Sequence, residues 1–355
     1  MQYIAFDSHK RYTYAVVEDP GGNRIMEQRI EHRKGELATF LAHYEPHSPV
    51  ALETIGSWYW IVDEIEAADM EPKLVNARRA KMMLCSSKKT DRLDARGMNT
   101  LQRAGTLPMV WIPPGELRDI RELFRTRMVF KQQVTRLKNR ILSCFSKYGI
   151  SFDETTSDAF NVKGRAAVQS ACSMLPVHTK ESVMQLLAQL DGTNRAIAEL
   201  EERMHEVSSQ TPAIQLLQTI PGIGPILSHV IAYEIGDITR FASASHLASY
   251  AGTTPSVHAS GGKVRYGHAP ADVNHYLQWA FVEAANCIAL RHTFLKARHV
   301  AQLYARLRAT KGHGIAVGAV ARHLAEAAYW VLTTKSPYKE PQHARVNTVV
   351  SSKRG

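Results

Sequence analysis

Residues 86–96, "SSKKTDRLDAR", combine two carboxylates with four cations in eleven positions. Asp91 and Asp94 are three residues apart, a spacing that puts both side chains on one face of a helix. Two interpretations are open. The acids could cap their helix and pair with neighbouring cations, or they could hold a divalent metal beside a polyanion. In the second case the nearby cations would bind a nucleic-acid backbone; they are Lys88, Lys89, Arg92 and Arg96.

Two further acids stand where predicted strands end. Asp7 follows the apolar run 3–6, and Glu53 ends the run 50–53. Strand-end carboxylates and a helical pair can meet at one end of a sheet, where four like charges would force some of them to protonate. A hard divalent cation removes that conflict. We therefore expect a Mg²⁺ or Mn²⁺ site that could stabilise the attacking and leaving oxygens of a phosphodiester exchange; its ligands would be Asp7, Glu53, Asp91 and Asp94.

A serine precedes two glycines and a lysine at positions 260–263. Glycines let a backbone approach a ligand closely, and Lys263 and Arg265 could neutralise negative charge on a phosphate. A serine hydroxyl becomes a good nucleophile only when it is deprotonated or polarised. Taken alone, Ser260 is more often part of a flexible turn. Ser256 is a rival nucleophile, but the dipeptide Pro255-Ser256 is typical of turn chemistry.

The elements that would position these residues begin with an α/β order. Three strands connected by short turns, followed by strands that alternate with helices, predict a mixed sheet. The predicted strands cover residues 3–6, 12–18, 24–30, 50–53 and 73–76, and the predicted helices cover 35–43 and 58–68. A further helix carries Asp91 and Asp94, with Thr90 as its N-cap and Gly105 at its end.

Residues 113–207 have a different pattern, in which apolar residues recur at spacings of three and four. Such seams are typical of coiled coils, and packing of helices within one chain would produce them equally well. An Asn194 on the second seam would fix the register of a coiled coil. The first seam is Phe130, Val134, Leu137, Ile141 and Cys144; the second is Leu190, Asn194, Ile197, Leu200, Met204 and Val207.

Residues 216–238 contain the turn "PGIGP" between two apolar helical stretches. This arrangement resembles a helix-hairpin-helix, in which backbone N–H groups at the turn meet a DNA phosphate. Gly222 and Gly224 would then lie at the nucleic acid. The alternative is that these glycines only allow two helices to pack closely.

Composition favours a nucleic-acid partner. The formal net charge is +11, and residues 251–355 hold 14 Lys and Arg against 4 Asp and Glu. The four cysteines form no CxxC pair, which argues against structural zinc and is typical of reduced thiols in the cytosol. No signal peptide is evident, and the apolar stretch 314–334 contains three charged or titratable residues, which argues against a membrane span. We expect a cytoplasmic protein without a membrane association.

Six motifs occur in the order typical of the DEDD-type insertion-sequence transposases of the 110/1111 type. They are "AFDSHK", "LETIG", "KTDRLDAR", "PGIGPI", "EIGDITRFASASHLASYAGTTPS" and "SGGKVR". The chain resembles these recombinases, which are guided by a bridge RNA, over about residues 1–335. The resemblance implies a RuvC-like (ribonuclease-H-like) domain at 1–110, a helical coiled-coil region at 111–210 and a mostly α-helical transposase domain at 211–335. Composition predicts a polar tail at 336–355.

The same resemblance assigns roles. It implies that Asp7, Glu53, Asp91 and Asp94 are the catalytic tetrad that binds Mg²⁺ or Mn²⁺, and that Ser260 is the nucleophile. The implied partners are donor DNA, target DNA, a structured noncoding guide RNA and further copies of the chain, as a dimer or tetramer. The implied location is the cytosol of a bacterium or archaeon, at the nucleoid when active.

One stretch departs from the family pattern. Residues 269–274 lack the basic residues that members often carry after the serine motif, although Asn274 and Leu277 match and Asn274 is a candidate nucleic-acid contact. Two other functions stay open. One is a metal-dependent nuclease or junction resolvase in which water attacks, and the other is a non-catalytic nucleic-acid-binding protein.

Overall fold

The computed structural model of the 355-residue chain describes five stretches: residues 1–84, 90–152, 159–208, 210–267 and 269–341. It divides into two compact units, 1–113 and 114–355. The predicted contacts of Lys88 and Lys89 lie outside the described residues, as does the polar tail from residue 342 onward.

The N-terminal unit is built on a five-stranded sheet in the order β3-β2-β1-β4-β5. Strands β1, β2 and β3 are antiparallel, whereas β4 is parallel to both β1 and β5. The predicted mixed sheet is therefore confirmed. The strands are β1 (Tyr3–Ser8), β2 (Tyr12–Glu18), β3 (Arg24–Glu31), β4 (Pro49–Glu53) and β5 (Glu71–Val75); the helices are α1 (Glu36–Leu41), α2 (Trp58–Ala67), α3 (Ala77–Leu84) and α4 (Asp91–Arg103).

Successive side chains of the central strands face opposite sides of the sheet. Ile4 and Phe6 of β1 lie in one apolar cluster with residues of α1 and α2. Ala5 of β1 and Ala51 of β4 lie in a second cluster with buried residues of α4. Because alanine is small, α4 can pack close to the sheet at this point.

Polar contacts hold α4 in place. Asn99 is fully buried and donates to the carbonyl oxygen of Val16 at 3.2 Å, and Gln102 donates to that of Ile4 at 3.2 Å. Arg103 forms an ion pair with Glu18, whose side chain is almost completely buried. These contacts hold the C-terminal half of α4 against β1 and β2.

The C-terminal unit is mostly helical, with a large core around its last three helices. Its one β-hairpin among the described residues is formed by β6 (Val257–Ser260) and β7 (Lys263–Tyr266). The helices are α5 (Gly115–Ser146), α6 (Val162–Ala171), α7 (Val177–Val207), α8 (Pro212–Leu217), α9 (Pro225–Ile235), α10 (Ala244–Tyr250), α11 (His275–Leu290), α12 (His299–Lys311) and α13 (His313–Thr334).

The two predicted seams lie on α5 and α7, and their buried residues share one core. Ile141 and Cys144 of α5 are in the same apolar cluster as Leu190 and Ile197 of α7. Packing within one chain therefore accounts for these residues, and a coiled coil between subunits stays a prediction.

The prediction that Asn194 lies on the seam is wrong. Asn194 is exposed, and the neighbouring Thr193 is buried in its place. The Thr193 hydroxyl satisfies its own hydrogen bond within the helix by donating to the carbonyl oxygen of Gln189 at 2.8 Å.

Helix α13 has the length and hydropathy of a membrane-spanning segment. However, 56% of its most apolar window is buried inside the protein, and residues such as Val320 and Leu324 pack in the core of the unit. That pattern is the one expected of a core helix, so its apolar character is weak evidence for a membrane span.

Candidate functional site

Asp7 and Glu53 emerge next to each other from the sheet. Phe6 of β1 pairs with Leu52 of β4, and each acid is the next residue on its strand. Side chains alternate along a strand, so each acid shares a face with the alanine two positions before it. That face is the one covered by α4. The register of β1 and β4 therefore brings together two acids that are 46 positions apart in sequence.

The first turn of α4 supplies the other two carboxylates. Thr90 is the N-cap, as predicted, and its side chain accepts a hydrogen bond from the backbone N–H of Leu93 at 3.3 Å. Asp91 and Asp94 follow in the first turn, where the partial positive charge of the helix N-terminus favours carboxylates.

The pKa of Asp7 responds to the other three acids. Burial raises the pKa of Asp7 from 3.8 to about 6; His9 opposes this shift, and the negative charges of Asp91, Glu53 and Asp94 add to it. Asp7 and Asp91 therefore lie in one cluster, and the joint binding of a metal by all four acids stays a prediction.

His9 completes this cluster and was missed at the level of sequence. Its Nε2 lies 3.0 Å from Oδ2 of Asp91 and 3.4 Å from Oδ2 of Asp7. Ligand atoms of these three residues lie within 4.8 Å of one another. Asp91 also accepts a hydrogen bond from the hydroxyl of Tyr12 at 3.0 Å. The sequence signal that could have identified His9 is its position two residues after Asp7, because residues i and i+2 of an extended segment share a face.

The donor set fits a hard divalent cation. Carboxylate oxygens are the ligands that Mg²⁺ and Mn²⁺ prefer. Among the described residues, the buried Oδ2 of Asp7 has no hydrogen-bond partner of acceptable geometry, although its side chain is only 12% exposed. A buried, unsatisfied carboxylate oxygen beside three like charges is the arrangement that a bound cation stabilises.

We expect Asp7→Asn to stabilise the metal-free protein at neutral pH. Between pH 4 and 6 the folded state holds a proton on Asp7 that the unfolded state has lost, because the folded pKa is about 6. The free energy of unfolding of the wild type therefore falls as pH rises through this window, by about 3 kcal/mol for a shift of roughly two units. Asparagine does not ionise, so the free energy of unfolding of the variant does not fall in this pH window.

Denaturant titrations in EDTA at pH 4, 5, 6 and 7 measure that difference. Asp69→Asn, which alters an exposed acid of the same unit, is the control and should follow the wild type. Identical pH profiles for Asp7→Asn and the wild type would contradict the clustering of the acids.

Arg92 and Arg96 have carboxylate partners on the sheet. Arg92 Nε lies 3.0 Å from Glu27 Oε1, and Arg96 Nε lies 3.4 Å from Glu18 Oε1. These two ion pairs connect α4 to β3 and β2. Both side chains remain more than 40% exposed, so a nucleic-acid contact stays a prediction.

Ser260 lies at the tip of the β6–β7 hairpin. Gly261 and Gly262 form its turn with φ values of 54° and 75°, a pair of positive angles that a two-residue hairpin turn requires and glycine supplies without strain. Ser256 lies at the other end, where its carbonyl oxygen accepts a hydrogen bond from the Gly267 N–H at 2.8 Å. The turn that the sequence suggested is thus part of an ordered hairpin.

The pairing of the two strands puts polar and charged side chains on one face of the hairpin and mainly apolar side chains on the other. Ser260 pairs with Lys263 and His258 with Arg265, so these four residues share one face. Val257, Ala259, Val264 and Tyr266 lie on the other face. All eight residues are exposed. The hairpin therefore presents a hydroxyl, an imidazole and two cations together to the solvent, which is an arrangement suited to a phosphate group.

The two glycines of "PGIGP" have different surroundings. Gly222 has φ 83°, and a Cβ atom built there would lie 2.5 Å from the carbonyl oxygen of Ala284 in α11. Close packing of this turn against α11 therefore explains why residue 222 is a glycine. Gly224 is the N-cap of α9 and has open space around it, so its nucleic-acid contact stays a prediction.

Asn274 is hydrogen-bonded inside the protein, and its nucleic-acid contact stays a prediction. Its side-chain oxygen caps α11 by accepting from the N–H groups of Tyr276 and Leu277 at 3.1 and 3.0 Å. Its amide donates to Glu234 at 2.9 Å. Glu234 is 2% exposed and is also bound by Arg125 at 2.7 Å. The residue joins α9, α11 and α5.

Two family models match the chain. Residues 4–150 match DEDD_Tnp_IS110, described as a transposase, and residues 214–302 match a model described as the transposase IS116/IS110/IS902 family. The first match contains all four clustered acids, and the second contains Ser260.

Several transposases are similar to this chain along most of its length. A probable family 20 transposase of Pseudomonas aeruginosa is 23% identical over 73% of this chain and 76% of its own length. The transposase of insertion sequence element IS1111A from Coxiella burnetii is 24% identical over 71% and 69%. The transposase of element IS1328 from Yersinia enterocolitica is 22% identical over 94% and 96%.

Proposed function

The chain belongs to the IS110-type DEDD transposases, and we propose that it exchanges DNA strands through a covalent serine–DNA intermediate under the guidance of a structured RNA. It is a DNA transposase, so DNA is its partner and strand exchange its reaction. The proposal concerns how this reaction proceeds and what selects its sites.

The convergence of four carboxylates is the observation that carries the proposal. Asp7 is buried among Glu53, Asp91 and Asp94 on the α4 face of a mixed sheet, which we assign to the RuvC-like class. These residues would hold Mg²⁺ or Mn²⁺. When bound, such a cation supplies Lewis-acid stabilisation of the charge that develops on phosphate oxygens. Asp91, which Tyr12 and His9 orient, and the buried Asp7 are preorganised for that role.

Ser260 is the proposed nucleophile. Its Oγ attacks a phosphorus atom of the DNA, the P–O bond to the departing strand breaks, and that strand leaves with a free hydroxyl group. The Ser260 proton passes to a base, for which His258 on the same hairpin face is the proposed acceptor. The resulting phosphoserine ester conserves the energy of the phosphodiester, so attack by another strand's hydroxyl rejoins DNA without ATP.

Lys263 and Arg265 have the placement needed to stabilise this step. Both lie on the face of the hairpin that carries Ser260, and both are exposed. Negative charge develops on the non-bridging oxygens as the serine attacks, and two cations on the same hairpin face favour that state over the ground state. The alternative is a metal-dependent nuclease in which water attacks the phosphate. That reaction would need the acid cluster and would not need Ser260.

We expect the RNA to determine where strands are exchanged. Like other recombinases of the kind that the chain resembles, the protein would contact backbone and shape while base pairing selects sequence. The test is a purified system with donor DNA, target DNA and the noncoding RNA transcribed beside the reading frame. Changing the target-pairing segment of that RNA should move exchange to the newly complementary site.

A scrambled RNA of equal length is the control and should give no exchange. Exchange at one fixed site with every RNA, or without RNA, would contradict the guidance proposal and leave the strand-exchange chemistry intact. Sequencing of the product junctions gives the readout.

The remaining proposals concern assembly and location. We propose that the enzyme acts as a dimer or tetramer in the cytoplasm. Large apolar side chains of the α5–α7 bundle are exposed, among them Val129 and Met184, and such side chains are available for subunit contacts. Substitutions at these exposed positions test assembly, whereas Ile141 is fully buried in the intrachain core and its replacement would unfold the bundle.

A further inference from the structure

The end of α11 and the turn that follows it carry the two most exposed large apolar side chains of the described residues. Leu290 is 84% exposed, and Phe294 in the following turn is 89% exposed. A single apolar residue on a surface needs no explanation, but an aromatic ring and an aliphatic side chain together on one turn form a contact surface. We call Leu290, Arg291, Phe294 and Lys296 the α11 turn surface.

The backbone of this turn is held firmly. The N–H groups of Phe294 and Leu295 both donate to the carbonyl oxygen of Arg291 at 3.0 Å, and the N–H of Arg298 donates to that of Leu295 at 2.8 Å. Leu295 packs against the core of the unit. With Leu295 directed inward, the fixed turn directs Phe294 outward.

The surroundings of Phe294 are cationic. Residues 284–325 contain no Asp or Glu but seven Lys and Arg. Arg298 is paired with Glu340 at 3.0 Å. Arg291 and Lys296 make no ion pair with a carboxylate within the described stretches of the chain. Phe294 therefore lies in the sequence between two exposed cations whose charge is available to a polyanion.

An open concavity of about 660 Å³ adjoins this surface. It is lined by the turn 221–225, by Leu290 and Arg291, and by the paired Arg298. Gly224, the N-cap of α9, lines this concavity, and no neighbouring atom lies within 4 Å of a Cβ atom built on it. A strand that reached Phe294 could continue past the start of α9, where backbone N–H groups favour phosphate.

We propose that the α11 turn surface binds an unpaired nucleotide, with the base stacked on Phe294 against Leu290 and the adjoining phosphates bound by Arg291 and Lys296. Stacking needs an accessible face of the base, which a duplex hides and a single strand or RNA loop presents. A second copy of this chain is a poor partner for this surface, because its formal net charge is +11 and the surface is itself basic, so the two would repel. The inference rests on nucleic acid being the partner, and it is independent of Ser260 and of the acid cluster.

Stacking can be measured directly with 2-aminopurine, a fluorescent base that stacking quenches. The full-length protein is titrated at fixed salt with a single-stranded DNA, a single-stranded RNA and a duplex, each of one sequence and carrying 2-aminopurine. We expect quenching with the single strands and little with the duplex. Comparison of the DNA and RNA arms identifies which single strand the site prefers.

Three substitutions of Phe294 separate stacking from apolar contact. Because the side chain is 89% exposed, each variant should fold as the wild type does. Phe294→Ala should weaken single-strand binding between about fivefold and about a hundredfold, the range for loss of one stacked base. Phe294→Leu keeps apolar area without a π face and should lose a similar amount, whereas Phe294→Trp should bind at least as tightly.

Arg291→Gln tests the phosphate contact separately. Loss of one neutralised phosphate should reduce the slope of log affinity against log salt by about 0.7 for a single strand. Quenching by a stacked base should persist in this variant, because Phe294 is unchanged.

The proposal is overturned if Phe294→Ala binds single strands as the wild type does, or if Phe294→Leu fully retains affinity and quenching. It is also overturned if Phe294→Ala leaves binding intact and lowers the mass of the free protein in light scattering, since the surface would then be a subunit contact. A wild type that forms no serine–DNA adduct would refute the proposed reaction and leave these binding results unaffected.

Discussion

Ser260→Ala is expected to eliminate the protein–DNA adduct and to reduce strand exchange by roughly 10⁴-fold or more, the scale expected for loss of a nucleophile. The side chain is exposed at the tip of a hairpin whose turn is formed by Gly261 and Gly262, so the variant should fold and bind DNA normally. The measurement uses labelled nicked or mismatched DNA. Reactions are denatured, and label that migrates with the protein is quantified.

Two variants sharpen this experiment. Ser256→Ala is the matched control, because Ser256 contributes its carbonyl oxygen to the base of the hairpin and alanine retains that atom. It should form adduct at close to the wild-type level. Ser260→Cys should retain at most a trace, since a thiolate is nucleophilic but differs in size and in metal preference.

Each alternative has a distinct result. An adduct that persists in Ser260→Ala and disappears in Ser256→Ala would place the nucleophile four residues earlier. DNA that is cut without any adduct, in the wild type as well, would favour the metal-dependent nuclease. An adduct that forms only with divalent metal and Ser260 supports the proposed intermediate.

Asp94→Asn and Asp91→Asn are expected to reduce strand exchange by at least about 10³-fold while the fold is retained. Each change removes a carboxylate from a metal site and weakens the binding of the cation that stabilises the reacting phosphate. The same change relieves repulsion around Asp7, whose pKa is raised by both acids. Loss of activity should therefore accompany an unchanged or higher melting temperature in EDTA.

Two measurements test this pair of effects. Calorimetric titration with Mg²⁺ and Mn²⁺ reports the metal affinity directly, and thermal unfolding with and without metal reports its coupling to stability. Glu66→Gln, which changes an exposed acid of α2, is the control and should match the wild type in both. Wild-type exchange rates in Mg²⁺ for both aspartate variants would contradict the assignment of the metal site.

Local sequence determined the elements that carry the site. A run of strand-forming residues precedes Asp7, and Thr90 begins a helix whose first turn contains Asp91 and Asp94. These features depend on steric preferences and hydrogen bonds between residues close in sequence, so they can be predicted without a tertiary structure. Even the face shared by Asp91 and Asp94 follows from helix geometry alone.

Tertiary structure decided which of these residues meet and which are occupied elsewhere. Parallel pairing of β1 with β4 placed Glu53 beside Asp7, and packing of α4 brought Arg96 to Glu18. Asn274 matched the motif at its position, yet it is held by Glu234, 40 residues away. Phe294 is an ordinary apolar residue in the sequence, and only the fixed turn exposes it. Such outcomes depend on burial and on contacts between distant segments, whose energies no local pattern contains.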